Sequence, residues 1–120
     1  MRVLLADDHR LFVEALEAIL APDQRIEVVG RAANGAEAVD LARALEPDVV
    51  LMDISMPVLD GIEATRRLRD EVPGARVLML TGSDARQDVA RARKAGAAAY
   101  VTKDRIAADL VAAILEQAAA

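Results

Sequence analysis

Five times along the chain a short apolar run is followed by a stretch whose apolar residues recur at helical spacing, and no other feature constrains the fold as much. The runs are 2–6 (RVLLA), 26–32 (IEVVGRA), 48–53 (DVVLMD), 76–80 (RVLML) and 98–102 (AAYVT). Each is short and bounded by turn residues, which predicts a strand. Between them, Phe12, Leu16, Ile19 and Leu20 share a helical face that Pro22 closes, and Val39, Ala42 and Leu45 share another that stops before Pro47. Asn34 with Glu37, and Asp60 with Glu63, have the spacing of capping boxes for the second and third helices. The third helix runs from Gly61 and ends before Pro73-Gly74. Asp84 with Gln87 opens a fourth, Gly96 suits its C-cap, and a fifth runs from about Arg105 into the closing alanines. Strand alternating with helix implies a parallel sheet with helices on both faces. The expectation is one α/β doubly wound domain over residues 1–120, with no internal linker.

In such sheets ligands sit beyond the carboxyl ends of the strands. The first strand ends in Asp7, Asp8 and His9; the third ends in Asp53, followed by Ile54, Ser55, Met56 and Pro57. The fourth ends in Thr81, Gly82 and Ser83, and the fifth in Thr102, Lys103 and Asp104. The second offers only Ala33 and Asn34. Four of the five ends therefore bring polar chemistry to one edge. Two adjacent carboxylates repel, by about 4 kcal/mol at ~4 Å and an effective dielectric of about 20. A hard divalent cation turns that repulsion into attraction, and three convergent carboxylates form an oxygen site of the kind Mg²⁺ favours. Coordination positions left free would take a phosphoryl oxygen, and Lys103 adds a second cation. A carboxylate nucleophile, a metal, a hydroxyl and a lysine together match phosphoryl transfer, which needs positioning and charge neutralisation above all.

Composition removes several alternatives. Apolar residues make up 54% of the chain, but the aromatics are only Phe12 and Tyr100, too few for a platform on which single-stranded nucleic acid stacks. A net charge of −5 argues against this segment gripping a phosphate backbone. The absence of cysteine removes disulfide and thiolate chemistry and fits a reducing compartment. No apolar run approaches the ~20 residues of a membrane span and no signal peptide opens the chain, so a cytoplasmic location is expected.

The sequence resembles a response-regulator receiver domain. The marks are DDH at 7–9, VVLMDISMPVLDGIEA at 49–64, Thr81-Gly82 and GAAAYVTKD at 96–104, and the resemblance covers the whole chain. DDHRLF and the KD after the fifth strand are closest to the nitrate-response type, whose receivers precede a helix-turn-helix output domain. The resemblance implies a flavodoxin-like sheet of order 2-1-3-4-5. It implies that Asp53 accepts a phosphoryl group from a sensor histidine kinase. Mg²⁺ would be held by Asp8, by Asp7 partly through water, by Asp53 and by the backbone carbonyl of Ser55. The Thr81 hydroxyl would move to the phosphoryl group, Lys103 would pair with it, and Tyr100 would be the switch aromatic that turns inward. Transcriptional output through a DNA-binding domain absent from this chain is expected, with a stand-alone receiver or phosphorelay intermediate as the alternative. One departure is the residue after Lys103: many receivers have proline there, and here Asp104 is expected to cap the last helix.

Plainer readings stand beside these. Asp53 would then only cap a turn, Thr81 satisfy a loop, Lys103 be solvated and Tyr100 pack at a strand edge. His9 is read as a surface residue, and Met56-Pro57 as shaping the loop after Asp53. Arg66, Arg67 and Arg69, like Arg91, Arg93 and Lys94, are read as solvated helix faces. An aspartyl-nucleophile phosphatase of the haloacid dehalogenase kind would want an acid two residues after the nucleophile, where Ser55 stands. A flavodoxin-like flavin carrier would want a phosphate-cradling loop in place of LLADDHR. Ser55 and Ser83 cannot deprotonate a water, so hydrolysis of an acyl phosphate would be set by water access. On the last helix Ile106, Leu110 and Ile114 should face the sheet, while Val111, Leu115 and Ala108 widen the apolar arc. That width implies a phosphorylation-promoted homodimer through this helix, with no direct nucleic-acid contact and no membrane contact by this segment.

Overall fold

The computed structural model describes residues 1–82 and 86–118. Five strands, β1 (Arg2–Ala6), β2 (Glu27–Ala32), β3 (Val49–Asp53), β4 (Arg76–Thr81) and β5 (Ala99–Thr102), alternate with five helices. These are α1 (Arg10–Leu20), α2 (Gly35–Leu45), α3 (Gly61–Glu71), α4 (Arg86–Ala95) and α5 (Ile106–Ala118). All strand pairs are parallel and the order is β2-β1-β3-β4-β5. The expected fold class is therefore the observed one.

The two-residue period of the strands sorts side chains into two cores. Leu4, Val50, Met52, Val77 and Met79 point to one face, where they pack with residues of α2, α3 and α4. Val3, Leu5, Val49, Leu51, Leu78, Leu80 and Val101 point to the other, against Val13, Leu16 and Leu20 of α1 and Ile106, Leu110 and Ile114 of α5. All five residues of β3 are buried, as its continuous apolar sequence predicts for a central strand covered on both sides. Val13 takes a core place in α1 that spacing had given to Phe12 and Ile19, both only partly buried.

The caps act as the sequence predicts, but from one side only. The Asn34 and Asp60 side chains accept the N–H of Glu37 and Glu63 at 2.9 and 2.8 Å. The Glu37 carboxylate accepts from Ala33 N–H at 3.4 Å, one residue before the cap, and Glu63 pairs with Arg66 at 2.7 Å. Neither half-bond is the reciprocal one of a capping box. Gly96, at φ +115°, ends α4: its N–H reaches Arg93 O and the Ala97 N–H reaches Ala92 O, both at 3.0 Å. This is the paired closure that a left-handed glycine allows. The proposed cap at Asp84, the Ser83 strand end and the last two alanines lie outside the described residues.

One expectation at the end of β5 is corrected. Asp104 does not cap α5. Lys103–Arg105 instead forms one 3-10 turn that runs straight into Ile106, leaving no extended residue at 104 to act as an N-cap. Arg105 closes the junction from the other side by bonding Asp109 at 2.9 Å. No cis peptide bond occurs among the described residues, so the Lys103–Asp104 bond is trans.

Candidate functional site

The three acids converge because β1 and β3 are neighbours in the centre of the sheet, and both strands end at the same level. Asp7 continues β1, its N–H bonded to Ala32 O of β2 at 3.0 Å. Asp53 is the last residue of β3. The loop after it is folded back tightly. Gly61 N–H bonds Ile54 O at 3.0 Å, and a Cβ on Gly61 would lie 2.1 Å from the carbonyl oxygen of Asp53. Only glycine permits that approach, so the start of α3 and the end of β3 are locked together. Val58 within this loop has φ +68°, an uncommon conformation for a β-branched residue, and is 84% exposed.

Asp7 and Asp53 are both buried, while Asp8 is about a third exposed. Lys103 reaches across from the end of β5. Its Nζ stands 3.2 Å from Asp53 Oδ1 and 3.6 Å from Asp7 Oδ2. The ammonium also lies 4.5 Å from the centre of the Phe12 ring, which holds it from the α1 side. Sequence reading saw Phe12 only as a core residue. Its helical phase places it on the flank of α1 that faces the end of β5, and nothing in its own spacing marks that second role.

One lysine does not balance three carboxylates. Asp7 Oδ1 accepts the His9 N–H at 2.8 Å, but Asp7 Oδ2 is buried with no hydrogen-bond partner. Burial holds the Asp53 carboxyl above its ordinary range, the charge of Asp7 adds to that, and Lys103 and the Ser55 N–H offset it in part. Asp7, Asp8, His9 and Asp53 each offer a ligand atom within 4.8 Å of the others. An orphaned buried carboxylate oxygen beside two more acids is the donor set a hard divalent cation fits. A cleft of about 340 Å³ bordered by Asp7, Asp8, Arg10, Arg31 and Glu37 opens this corner to solvent.

The remaining candidates lie on the same edge. Thr81 is buried at the end of β4 and pairs in register with Thr102. Ser55 is exposed, two residues beyond Asp53. Tyr100 is 36% exposed, its ring 5.8 Å from the guanidinium of Arg93 on α4. His9, read as a surface residue, is exposed, yet its Nδ1 stands 3.3 Å from both Asp7 Oδ1 and Asp8 Oδ1.

An α/β sheet of this order, with its acids at the central strand ends and a lysine at the fifth, is that of the signal-receiving domains of two-component systems. The profile of the response regulator receiver domain matches residues 3–115, and the chain belongs to that family. It is 42% identical over 114 residues to the transcriptional regulatory protein MctR of Rhizobium johnstonii, covering 95% of this chain and 53% of MctR. A two-component response regulator of the LuxR family from Aurantimonas superposes with a TM-score of 0.92 at 38% identity, over 98% of this chain and 85% of that one. The response regulator domain of Thermotoga maritima CheB gives a TM-score of 0.93 at 31% identity, over 100% and 97%. The chain spans about half the length of the curated relatives it matches, and these are named as transcriptional regulators. No helix among the described residues is long and apolar enough to cross a membrane.

Proposed function

We propose that Asp53 is the phosphoacceptor of this receiver and that a sensor histidine kinase is its donor. A carboxylate oxygen of Asp53 forms a bond to phosphorus as the P–N bond of the donor phosphohistidine breaks, and the electron pair leaves with the imidazole. The observation that carries this reading is the Lys103 ammonium placed between Asp53 and an Asp7 oxygen that lacks any other partner. Such an ammonium can follow the charge from carboxylate to phosphoryl oxygen without leaving the site. Asp7, Asp8, Asp53 and the Ser55 carbonyl would hold Mg²⁺, which draws charge from the phosphoryl oxygens. Thr81 would turn its hydroxyl to the new anion, and Tyr100, now outward, would turn inward as Thr81 moves. Ser55 leaves no acid two residues after Asp53 to activate water, which favours a stored phosphoryl group over a phosphatase cycle.

The test is intact-mass measurement after incubation with acetyl phosphate and Mg²⁺. A single phosphoryl adduct is expected, absent in Asp53→Asn and absent with EDTA. An adduct that persists in Asp53→Asn removes the assignment.

Output is read as transcriptional, through a DNA-binding domain outside these residues, as the names of the relatives suggest. A two-fold receiver contact would suit paired DNA half-sites. The surface for it is narrower than the helical wheel of α5 implies. Val111 and Leu115 are partly buried against the α1–α5 core, and Ala108 is exposed. The reading is kept in this form: the activated receiver pairs through α5, with Leu115 at the margin of the contact. Sedimentation with beryllofluoride should show a dimer, weakened by Leu115→Glu. A monomer at high micromolar concentration ends the idea.

A further inference from the structure

His9 is the one site residue without a role in the scheme above. It precedes α1 in the N-cap position, yet its side chain makes no capping bond. Its own N–H is anchored on Asp7 Oδ1 at 2.8 Å, which fixes the residue beside the acids. The ring is largely exposed, but its Nδ1 edge lies 3.3 Å from Asp7 Oδ1, within hydrogen-bond reach, and 3.3 Å from Asp8 Oδ1. Two ligands bound to one ion at about 2.1 Å and at right angles stand about 3 Å apart. The two measured separations are close to that spacing. Asp7 Oδ1 already has a donor in the His9 N–H, whereas the buried Asp7 Oδ2 beside it has none. The imidazole nitrogen is therefore placed as a ligand would be, against Asp8 and against the carboxylate that carries the orphaned oxygen.

We propose that His9 is an additional ligand of the divalent ion in this acidic site, giving it a mixed nitrogen–oxygen donor set that binds borderline transition ions more tightly than carboxylates alone would. This rests on the reading that Asp7, Asp8 and Asp53 hold a cation. Imidazole strengthens binding of ions such as Ni²⁺ far more than of Mg²⁺, because Mg²⁺ prefers oxygen and dehydrates reluctantly. The neutral ring would carry its proton on Nε2, toward solvent, and present the Nδ1 lone pair to the ion. Binding and exchange of the ion would then depend on which metal is available, and the receiver would accept ions beyond Mg²⁺.

The experiment uses the full chain and the bare ions. With one histidine and no cysteine in the sequence, no second soft site competes, and ¹⁵N-histidine labels a single residue. Mg²⁺ and Ni²⁺ are titrated calorimetrically into the parent, His9→Ala and Asp8→Asn. Mn²⁺ is added for electron spin echo measurement of nitrogen coupling. The expected result is an imidazole ¹⁴N signal in the parent that changes on ¹⁵N-histidine labelling and disappears in His9→Ala. Ni²⁺ binding should weaken about tenfold or more in that variant, and Mg²⁺ binding by less than about threefold. If Mn²⁺ binds without imidazole coupling and His9→Ala weakens both titrated ions equally or not at all, the proposal is overturned while the cation site stands. If Asp8→Asn leaves Mg²⁺ binding unchanged, the cation reading fails and takes the proposal with it.

Discussion

The two ends of the same sheet treat charge in opposite ways. At the amino end every charged group named here has a hydrogen-bond partner. The Arg2 N–H bonds Asp48 Oδ2 at 2.7 Å and its guanidinium bonds the Leu45 and Glu46 carbonyls that end α2. The terminal ammonium bonds Arg25 O, and Arg25 holds Asp23 with two side-chain bonds and one from the backbone. At the carboxyl end Asp7 and Asp53 share one lysine with Asp8 close by, and Asp7 Oδ2 has no hydrogen bond. The carboxyls record the difference. Arg25 holds Asp23 down to about 2, whereas burial and Asp7 push Asp53 up. Both ends come from the same strands and the same helices. One end stabilises the fold, and the other keeps an imbalance that a bound cation would relieve.

The largest expected effect comes from breaking the backbone contact that builds the carboxyl end. Gly61→Ala places a methyl 2.1 Å from the Asp53 carbonyl oxygen, where neither backbone can give way cheaply. A loss of roughly 3 kcal/mol or more in urea unfolding is expected. Gly74→Ala, at the amino end, meets nothing within 4 Å and should change stability by less than about 0.5 kcal/mol. Equal losses in the two variants would remove the contrast.

The next effect has the opposite sign. Because the Asp53 carboxyl is raised in the fold, the folded state holds its proton more tightly than the unfolded chain does. Ionised Asp53 therefore costs stability at neutral pH. The cost fades as pH falls through the raised value and is gone below the ordinary one. Asp53→Asn should stabilise the metal-free protein at pH 7 by on the order of 1 kcal/mol. The gap should narrow on acidification, and saturating Mg²⁺ should reverse the order by stabilising the parent more. An Asp53→Asn protein that is less stable than the parent in EDTA would show that the carboxylate is well accommodated.

How much of this was legible in the sequence varies with the range of the interaction. The strands and the two half-caps are local, and short apolar runs bounded by turn residues, and Asn34 or Asp60 ahead of a helix, announce them directly. The convergence of Asp7, Asp53 and Lys103 follows from strand ends once the topology is known, so it too was within reach. What escaped depends on side-chain direction across elements. Phe12 under Lys103 and His9 turned toward two carboxylates need the relative rotation of α1 and the strand ends, which no spacing encodes. Val111 and Leu115 are less outward than the helical wheel suggests for the same reason: a wheel gives angles but not what packs against each side of the helix. Asp104 escaped because a 3-10 turn and an N-cap followed by a helix share a sequence pattern.

The smallest expected effect tests the matched end. Asp23 sits before β2 beside the exposed Arg25, and its carboxyl is lowered to about 2 chiefly by the side-chain bonds of Arg25. A lowered carboxyl contributes stability that is present above the ordinary value of 3.8 and is lost as pH falls toward about 2. Asp23→Asn keeps an oxygen for the Arg25 N–H but loses the charge that the guanidinium grips. Solvent screens such a pair strongly, so the melting temperature at pH 7 should fall by only about 1–2 °C. The informative quantity is the slope with pH. Between about pH 5 and pH 2 the parent and Asp23→Asn should converge as the parent loses its advantage. At higher pH, from neutrality down to the ordinary carboxyl value, the parent and Asp53→Asn should also converge, but from the other side, as the parent sheds its penalty. Raised salt should shrink the Asp23 difference markedly, because its partner Arg25 is largely exposed, and the Asp53 difference much less, because that carboxylate is buried. Two lines of the same slope and the same salt dependence would mean that the two ends of the sheet do not differ in the way their geometry implies.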